Sequence, residues 1–253
     1  IFFTVKLCHG AAMPSPAILP LGPDGVLVRF AETLSEPANR AALAFRAEVE
    51  GAGIEGVTET ASSLTSVFVR FRPDRVARTA LEDRLQGALG QRDWMAAALP
   101  EGRTRWYIPA IFEGPDAPDL AAVAKEIGRS PDAALQELIS TPLRVLALGF
   151  APGQPYLGFM PEHWNIPRRT EVTPEVPRGA VVGAVRQVIP FANPAPTGWW
   201  QIGRTGFRCH DPGADPALPL RAGDEVQFRA VPSGDWDRLK NASFGGAEAE
   251  QLP

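Results

Sequence analysis

Gly149-Phe-Ala-Pro-Gly-Gln-Pro-Tyr-Leu-Gly158 opens the stretch on which the fold of this chain turns. It runs on through Ile166-Pro-Arg-Arg-Thr170 and Val176-Pro-Arg-Gly-Ala-Val-Val-Gly183, and closes on Thr197-Gly-Trp-Trp-Gln-Ile-Gly-Arg-Thr205. No helical period survives in it. Glycine lets backbone pass close to a neighbour or adopt positive φ, and proline stiffens turns between short strands. The stretch therefore predicts loop-rich β structure. The turns of a β-barrel would by themselves need this much Gly and Pro. Convergent Arg, Tyr and Trp side chains on such loops are also where a small-molecule site would be built.

Working outward, residues 143–150 form an apolar strand that leads into the stretch. Before it, Ser130-Pro131 caps a helix striped by Ala134, Leu135 and Leu138 and broken at Thr141-Pro142. Pro118-Asp119 opens another helix, with Leu120, Val123, Ala124 and Ile127 on its stripe and Gly128 at its end. Residues 105–111 read as a strand. Downstream, residues 206–210 and 225–231 read as closing strands, with Arg221-Ala222-Gly223-Asp224 in the turn between them. These elements predict a β-barrel domain over residues 101–232, and the polar, small-residue segment 233–253 is expected to be a mobile tail.

The first part of the chain has a different pattern. Residues 25–30 read as a strand, and Ser35 caps a helix with Pro37 in its first turn. Ala42, Phe45 and Val49 recur at helical spacing before Gly51. Residues 54–60 and 66–71 are two more strands, and Thr79 opens a helix with Leu81, Leu85 and Leu89 on one stripe. Strand, helix, strand, strand, helix predicts a small α+β layer over residues 13–100, helices on one sheet face. Residues 92–102 are expected to be the linker. Met13-Pro14-Ser15-Pro16 reads like a natural start, so residues 1–12 are expected to be a foreign leader segment outside the fold.

The chain has 253 residues and a net charge of −4, which gives no reason to expect nucleic acid or an anionic membrane surface as a partner. Cys8 and Cys209 are too few for a disulfide framework, so a reducing compartment, the cytoplasm, is expected. No run approaches the length of a membrane span. The chain lacks Gly-x-x-x-x-Gly-Lys-Ser/Thr and a strand-turn-helix Gly-x-Gly-x-x-Gly. Cys209-His210 is one adjacent pair without a second, so no metal site is expected. His163 and His210 are the histidines left for a triad, and no Gly-x-Ser-x-Gly elbow accompanies His210-Asp211.

The arginines carry more. A guanidinium fork holds a carboxylate or phosphate by two parallel hydrogen bonds. Arg178 and Arg186 read as surface charge. Arg168 and Arg204 each adjoin a Pro/Gly turn and are expected to line a pocket and to converge there. Gln187 could hydrogen-bond an amide. Tyr156, Trp199 and Trp200 serve either as core or as pocket wall. Gly149, Phe150, Pro152, Gly153, Gly179, Gly198, Gly203 and Thr205 would form the loop scaffold around them. No residue is an obvious nucleophile or base, so no catalytic residue is assigned.

Taken together, these blocks resemble the family of the B subunit of bacterial 5-oxoprolinase, also called allophanate hydrolase subunit 1 or the sporulation-kinase inhibitor family. The resemblance rests on Gly149 to Gly158, on Pro167-Arg168-Arg169, on Val176-Pro177-Arg178-Gly179-Ala180-Val181, on Gln187-Val188, and on Ala195 to Thr205. It implies an α+β chain: a small N-terminal α/β sandwich domain followed by a cyclophilin-like β-barrel. It implies a partner, the C subunit, which is similar to allophanate hydrolase subunit 2, has a similar barrel fold and is encoded beside it. It also implies a third component, the A subunit. The complex would use ATP, with Mg, to open 5-oxoproline to glutamate. Arg168, Arg204, Gln187, Tyr156 and Trp199 would then contact substrate. An alternative within the family is a regulatory module that docks on and inhibits a sensor histidine kinase. Gln154 stands in place of a family Phe, Val188 in place of Thr, and Thr197 in place of Gly. Thr173 stands where a second Pro-Arg would supply an arginine, and Thr141-Pro142 where many members carry His. These departures predict a pocket rim with a changed substrate or lost chemistry.

Overall fold

The computed structural model describes residues 16–252. The chain divides into two compact units, Ile1–Pro100 and Glu101–Pro253. The expected leader, residues 1–12, lies outside the described residues.

The first unit contains β1 (Ala17–Pro20), β2 (Gly25–Arg29), α1 (Glu36–Gly51), β3 (Val57–Ser63), β4 (Ser66–Phe71) and α2 (Arg78–Leu89). Its strands pair antiparallel in the order β1-β2-β4-β3. The Ser35 hydroxyl accepts from the Ala38 N–H and starts α1, as its sequence predicts. The helix stripes then bury Phe45, Val49, Leu81, Leu85 and Leu89 in one core with Val26, Val28, Val67 and Val69. Strand β1 was not expected, because a four-residue strand has too few positions to show alternation. The linker expected over 92–102 holds a 3-10 turn, Trp94–Ala96. Trp94 packs edge-on against Phe45 with ring centroids 5.0 Å apart, and this buried ring extends the unit past Arg92.

The second unit contains β5 (Thr104–Ile111), α3 (Leu120–Glu126), α4 (Pro131–Ser140), β6 (Leu143–Leu148) and β7 (Pro155–Gly158). There follow β8 (Thr173–Val176), β9 (Ala180–Ala184), β10 (Gln187–Pro190), β11 (Ala195–Thr197), β12 (Trp200–Thr205), β13 (Glu225–Ala230), α5 (Trp236–Asn241) and β14 (Glu248–Gln251). Seven strands close into a barrel in the order β6-β13-β5-β12-β9-β10-β7, with β7 returning to β6. The β13–β5 pair is parallel and runs from Glu225↔Arg105 to Ala230↔Ala110. Closure leaves no edge in the ring unpaired.

The barrel wall explains why the opening stretch shows no alternation. Val181, Val188, Leu157 and Ile202 point into the barrel core with Ile108, Val145 and Phe228. Ala180, Val182, Ala184 and Ile189 point outward and are also buried, in a second cluster with Val176, Phe191 and Trp199. The two-stranded ribbon β8–β11 contributes Val176 and Ala195 to that cluster. Strands apolar on both faces lose the polar half of the period-2 pattern.

Two expectations are corrected here. Residues 206–210 are not a strand; β12 does the closing instead. The Gly206 backbone packs instead against Leu239 of α5, so closely that a Cβ there would come within 2.7 Å of its carbonyl. The segment 233–253 is not a mobile tail throughout: it carries α5 and β14. Strand β14 pairs with Thr104–Tyr107, the part of β5 that β12 does not reach. All four of its residues are exposed, so the ordering comes from backbone hydrogen bonds and leaves no apolar signal in sequence. Among the described residues no helix is long and apolar enough to cross a membrane.

Gly179 joins the layers of this wall. It has φ +78°, its N–H donates to the Phe191 carbonyl and its carbonyl accepts from Thr205 N–H, both at 2.8 Å. A Cβ there would collide with the Thr205 carbonyl oxygen. Gly179→Ala is expected to lose at least about 2 kcal/mol, from left-handed strain plus the clash, read as a fall in the urea midpoint.

Candidate functional site

Five residues singled out in the sequence lie in the second unit, and the structure sorts them into two groups by whether their polar atoms are occupied. Arg204 belongs to the occupied group. Its Nη1 donates to Asp116 Oδ1 at 3.4 Å, its Nε to the Arg178 carbonyl at 3.4 Å, and its guanidinium carbon lies 4.0 Å from the centroid of the Trp236 ring. Trp236 comes from α5. Arg169 is held in the same way. Its Nη1 donates to Asp119 at 3.3 Å and its guanidinium lies over Trp200 at 5.4 Å. Asp119 Oδ2 also accepts from the Gln201 N–H at 2.8 Å, and the Gln201 amide donates to the Asp116 carbonyl at 3.0 Å. Both guanidiniums are therefore neutralised within the chain.

Around this anchor the arginine loop zips onto the tryptophan turn. Arg169 N–H donates to the Gly198 carbonyl at 2.6 Å, and the Trp200 indole donates to the Pro167 carbonyl at 2.9 Å. Gly198 eases this approach, since a Cβ there would sit 3.2 Å from the Arg169 carbonyl, a tight contact. The zipper sets Arg168 over Trp199, with 5.1 Å from guanidinium carbon to ring centroid.

Arg168, Trp199, Tyr156 and Gln187 make the unoccupied group. Tyr156 precedes the inward Leu157 and so faces the outer cluster, against which it packs. Gln187 pairs with Ala184 and precedes the inward Val188, so it lies on the same face. Val188 pairs with Leu157, which sets Gln187 and Tyr156 diagonally across β10 and β7. Burial pushes the Tyr156 phenol above its ordinary pKa, and the charge of Arg168 pulls the other way, so the hydroxyl is protonated at neutral pH. Gln187 is only 9% exposed and Trp199 6%. Yet the Tyr156 hydroxyl, the Gln187 amide and the Trp199 indole N–H make no hydrogen bond to another described residue, and none of these atoms is sealed from the surface. Arg168 is exposed and has no carboxylate partner among the described residues. The expected meeting of Arg168 and Arg204 is not seen as a contact: they share no partner.

The loop residues make close contacts of their own. A Cβ at Gly153 would collide with the Cys209 carbonyl oxygen, and one at Gly203 would lie 2.6 Å from the Phe112 ring. The Gly149 N–H donates to the Gln154 carbonyl at 3.0 Å, closing a turn that contains Pro152. Phe150 has φ +70° and is 61% exposed. The Thr205 hydroxyl donates to the Pro109 carbonyl at 2.7 Å and accepts from Phe207 N–H at 3.1 Å. The departures from the family pattern are structural as well. Gln154 is buried and its Oε1 accepts from Ala192 N–H, Val188 fills the barrel core, and the Thr197 hydroxyl accepts from Trp199 N–H. None of the three removes a polar group from the Tyr156 face.

His163 pairs with Glu137 at 2.7 Å, and the same Glu137 oxygen accepts from the Trp164 indole at 2.6 Å, which pins a 3-10 turn to α4. Among the described residues no group of His, Cys, Asp and Glu could hold a metal. Sequence reasoning missed Asp116, Asp119, Gln201 and Trp236. Asp119 was legible only as a helix opener, and Trp236 lay in the expected tail.

With the geometry in place, comparison with known proteins is informative. The model of the carboxyltransferase domain, subdomain C and D, matches residues 16–220. The chain belongs to this family. It is 38% identical to the 5-oxoprolinase B subunit of Escherichia coli O157:H7 over 176 residues, 68% of this chain and 77% of that protein. It is 29% identical to the 5-oxoprolinase B subunit of Bacillus subtilis (strain 168) over 237 residues, 88% of this chain and 96% of that protein. Among solved structures, TTHA0988 superimposes with a TM-score of 0.68 at 31% identity, over 83% of this chain and 40% of its own. The Kluyveromyces lactis urea carboxylase superimposes at 0.65 with 17% identity, over 98% of this chain and 26% of its own, which is a likeness of fold.

Two outcomes are expected. Asp119→Ala, which strands the Gln201 N–H and the Arg169 guanidinium, should lower unfolding free energy by about 1–3 kcal/mol in urea titration. Burial pushes the Cys209 thiol up to about 12. Alkylation followed by peptide mapping should therefore leave Cys209 unmodified in the native protein at pH 8 and label it only after unfolding.

Proposed function

We propose that this chain is one component of an ATP-dependent hydrolase of the 5-oxoprolinase type, which opens 5-oxo-L-proline to L-glutamate. Its partners would be the C subunit, similar to allophanate hydrolase subunit 2, and the A subunit. The observation that carries this proposal is the match to proteins named as the B subunit of 5-oxoprolinase, one of them along 96% of its length. A name that specifies one lettered component speaks for a multi-subunit assembly. The site agrees with a partial role: it offers donors and an aromatic wall, and no paired nucleophile and base.

A ring amide resists hydrolysis because nitrogen feeds electrons into the carbonyl. ATP held in the complex would supply the phosphoryl group that activates the amide oxygen, and two waters would be consumed as the C–N bond opens and ADP and phosphate are released. Catalysis of this kind needs groups that hold the ring and its carboxylate while charge develops on the carbonyl oxygen. The residues of this chain do not fit Mg–ATP. The carboxylates beside the site, Asp116 and Asp119, are committed to Arg204 and Arg169, and the sequence lacks a phosphate-cradling glycine loop. The nucleotide is therefore assigned to the complex.

The test is co-expression with both partner subunits from the same operon, followed by ATP hydrolysis with and without 5-oxoproline. Stimulation by 5-oxoproline that disappears when this chain is omitted is the expected result. A stable complex with no stimulation would overturn the proposal.

A further inference from the structure

We infer that the outer barrel face between β7, β10 and Trp199 is a binding site of this chain alone for a small planar amide that carries a carboxylate, gripped through Arg168 and not through Arg204. The identity of the ring rests on the function proposed above; the presence of the site does not.

Arginine chemistry makes the first part of the argument. Three arginines of this region lie over tryptophan rings: Arg168 on Trp199, Arg169 on Trp200 and Arg204 on Trp236. Arg169 and Arg204 each have an aspartate on the guanidinium edge, at 3.3 and 3.4 Å. Arg168 is built on the same pattern with the aspartate missing. A guanidinium set over an indole and lacking an internal anion leaves its N–H donors available to a carboxylate. The third anion of the series would come from a ligand.

Burial makes the second part. Gln187 is more than nine-tenths buried, its amide makes no hydrogen bond to the described residues, and its polar atoms still reach the surface, so they are open to a ligand. It faces the same side as Ala184 and Ile189, into the cluster that holds Trp199 and Tyr156. A carboxamide carries one acceptor and two donors, so its natural complement is another amide, oxygen to N–H and N–H to oxygen. The protonated Tyr156 hydroxyl adds a donor beside it, and the Trp199 ring supplies a flat apolar wall. The combination selects a ligand with an amide at one end and a carboxylate at the other.

The experiment uses the full chain, without partner subunits and without nucleotide, titrated calorimetrically with 5-oxoproline and with 2-pyrrolidone, the same ring lacking the carboxylate. Saturable binding of 5-oxoproline is expected. Arg168→Met should weaken it at least about tenfold. 2-Pyrrolidone should bind at least about tenfold more weakly than 5-oxoproline and be indifferent to Arg168→Met. Gln187→Leu should weaken both ligands, and Arg204→Lys, which keeps its charge beside Asp116, should leave both affinities within about twofold. Circular dichroism melts confirm that each variant is folded. The inference is overturned if the wild-type chain shows no saturable binding, if folded Arg168→Met binds like wild type, or if the loss follows Arg204→Lys instead. Any of these results beside 5-oxoproline-stimulated ATP hydrolysis in the complex would sink the site and leave the proposed function standing. Binding as expected beside a complex that does not hydrolyse ATP in response would do the reverse.

Discussion

Strands β9 and β10 are buried on both faces, and the rest of the second unit depends on that constraint. Inward, Val181 and Val188 help fill the barrel. Outward, Val182, Ala184 and Ile189 need a second cover, which the β8–β11 ribbon and the Trp199 turn supply. A wall that is apolar on both sides leaves few positions for polar atoms. Those that do occur on it, Tyr156 and Gln187, are set by strand parity rather than by chance of surface placement. The same constraint explains the small outward residues of β9: Ala180 and Ala184 let the outer layer close down on the barrel.

Two aspartates then divide the arginines by task. Asp116 and Asp119 neutralise Arg204 and Arg169, and Asp119 also holds the Gln201 backbone. Both pairs are partly buried, where losing one partner costs more than the pair contributes to stability. Their work is to fix the register between the loop at 167–169 and the turn at 198–201. Arg168, one residue from Arg169, inherits that position without its own counter-charge. A rigid anchor beside an unpaired cation is an arrangement suited to recognising an anion, because little ordering remains to be done when the ligand arrives.

Helices of both units were legible from a stripe or a cap. Ser35 and Ser130 accept the N–H groups their positions predict, and Leu81, Leu85 and Leu89 are buried as spaced. The barrel was legible through its turns, since Gly153, Gly179 and Gly203 sit where backbone meets backbone or ring too closely for any other residue. What escaped had no local signature. Strand β14 is polar and exposed and is held by a ladder to residues about 145 positions away. Trp94 and Trp236 looked like isolated aromatics in polar segments, and only their contacts with Phe45 and Arg204 give them a role.

The sequence by itself determined the family, the two-part order of elements and the residues from which a site could be drawn, because caps, stripes and turn glycines act over a few neighbouring residues. It named Arg168, Arg204, Gln187, Tyr156 and Trp199 and did not separate Arg168 from Arg204. Only the tertiary structure separated them. Whether a guanidinium is available depends on where carboxylates fall in space, and Asp116 lies 88 positions from the Arg204 it neutralises. Whether an amide is satisfied depends likewise on which strand pairs beside it and in which register. Those are properties of the closed barrel, and no stretch of the chain carries them alone.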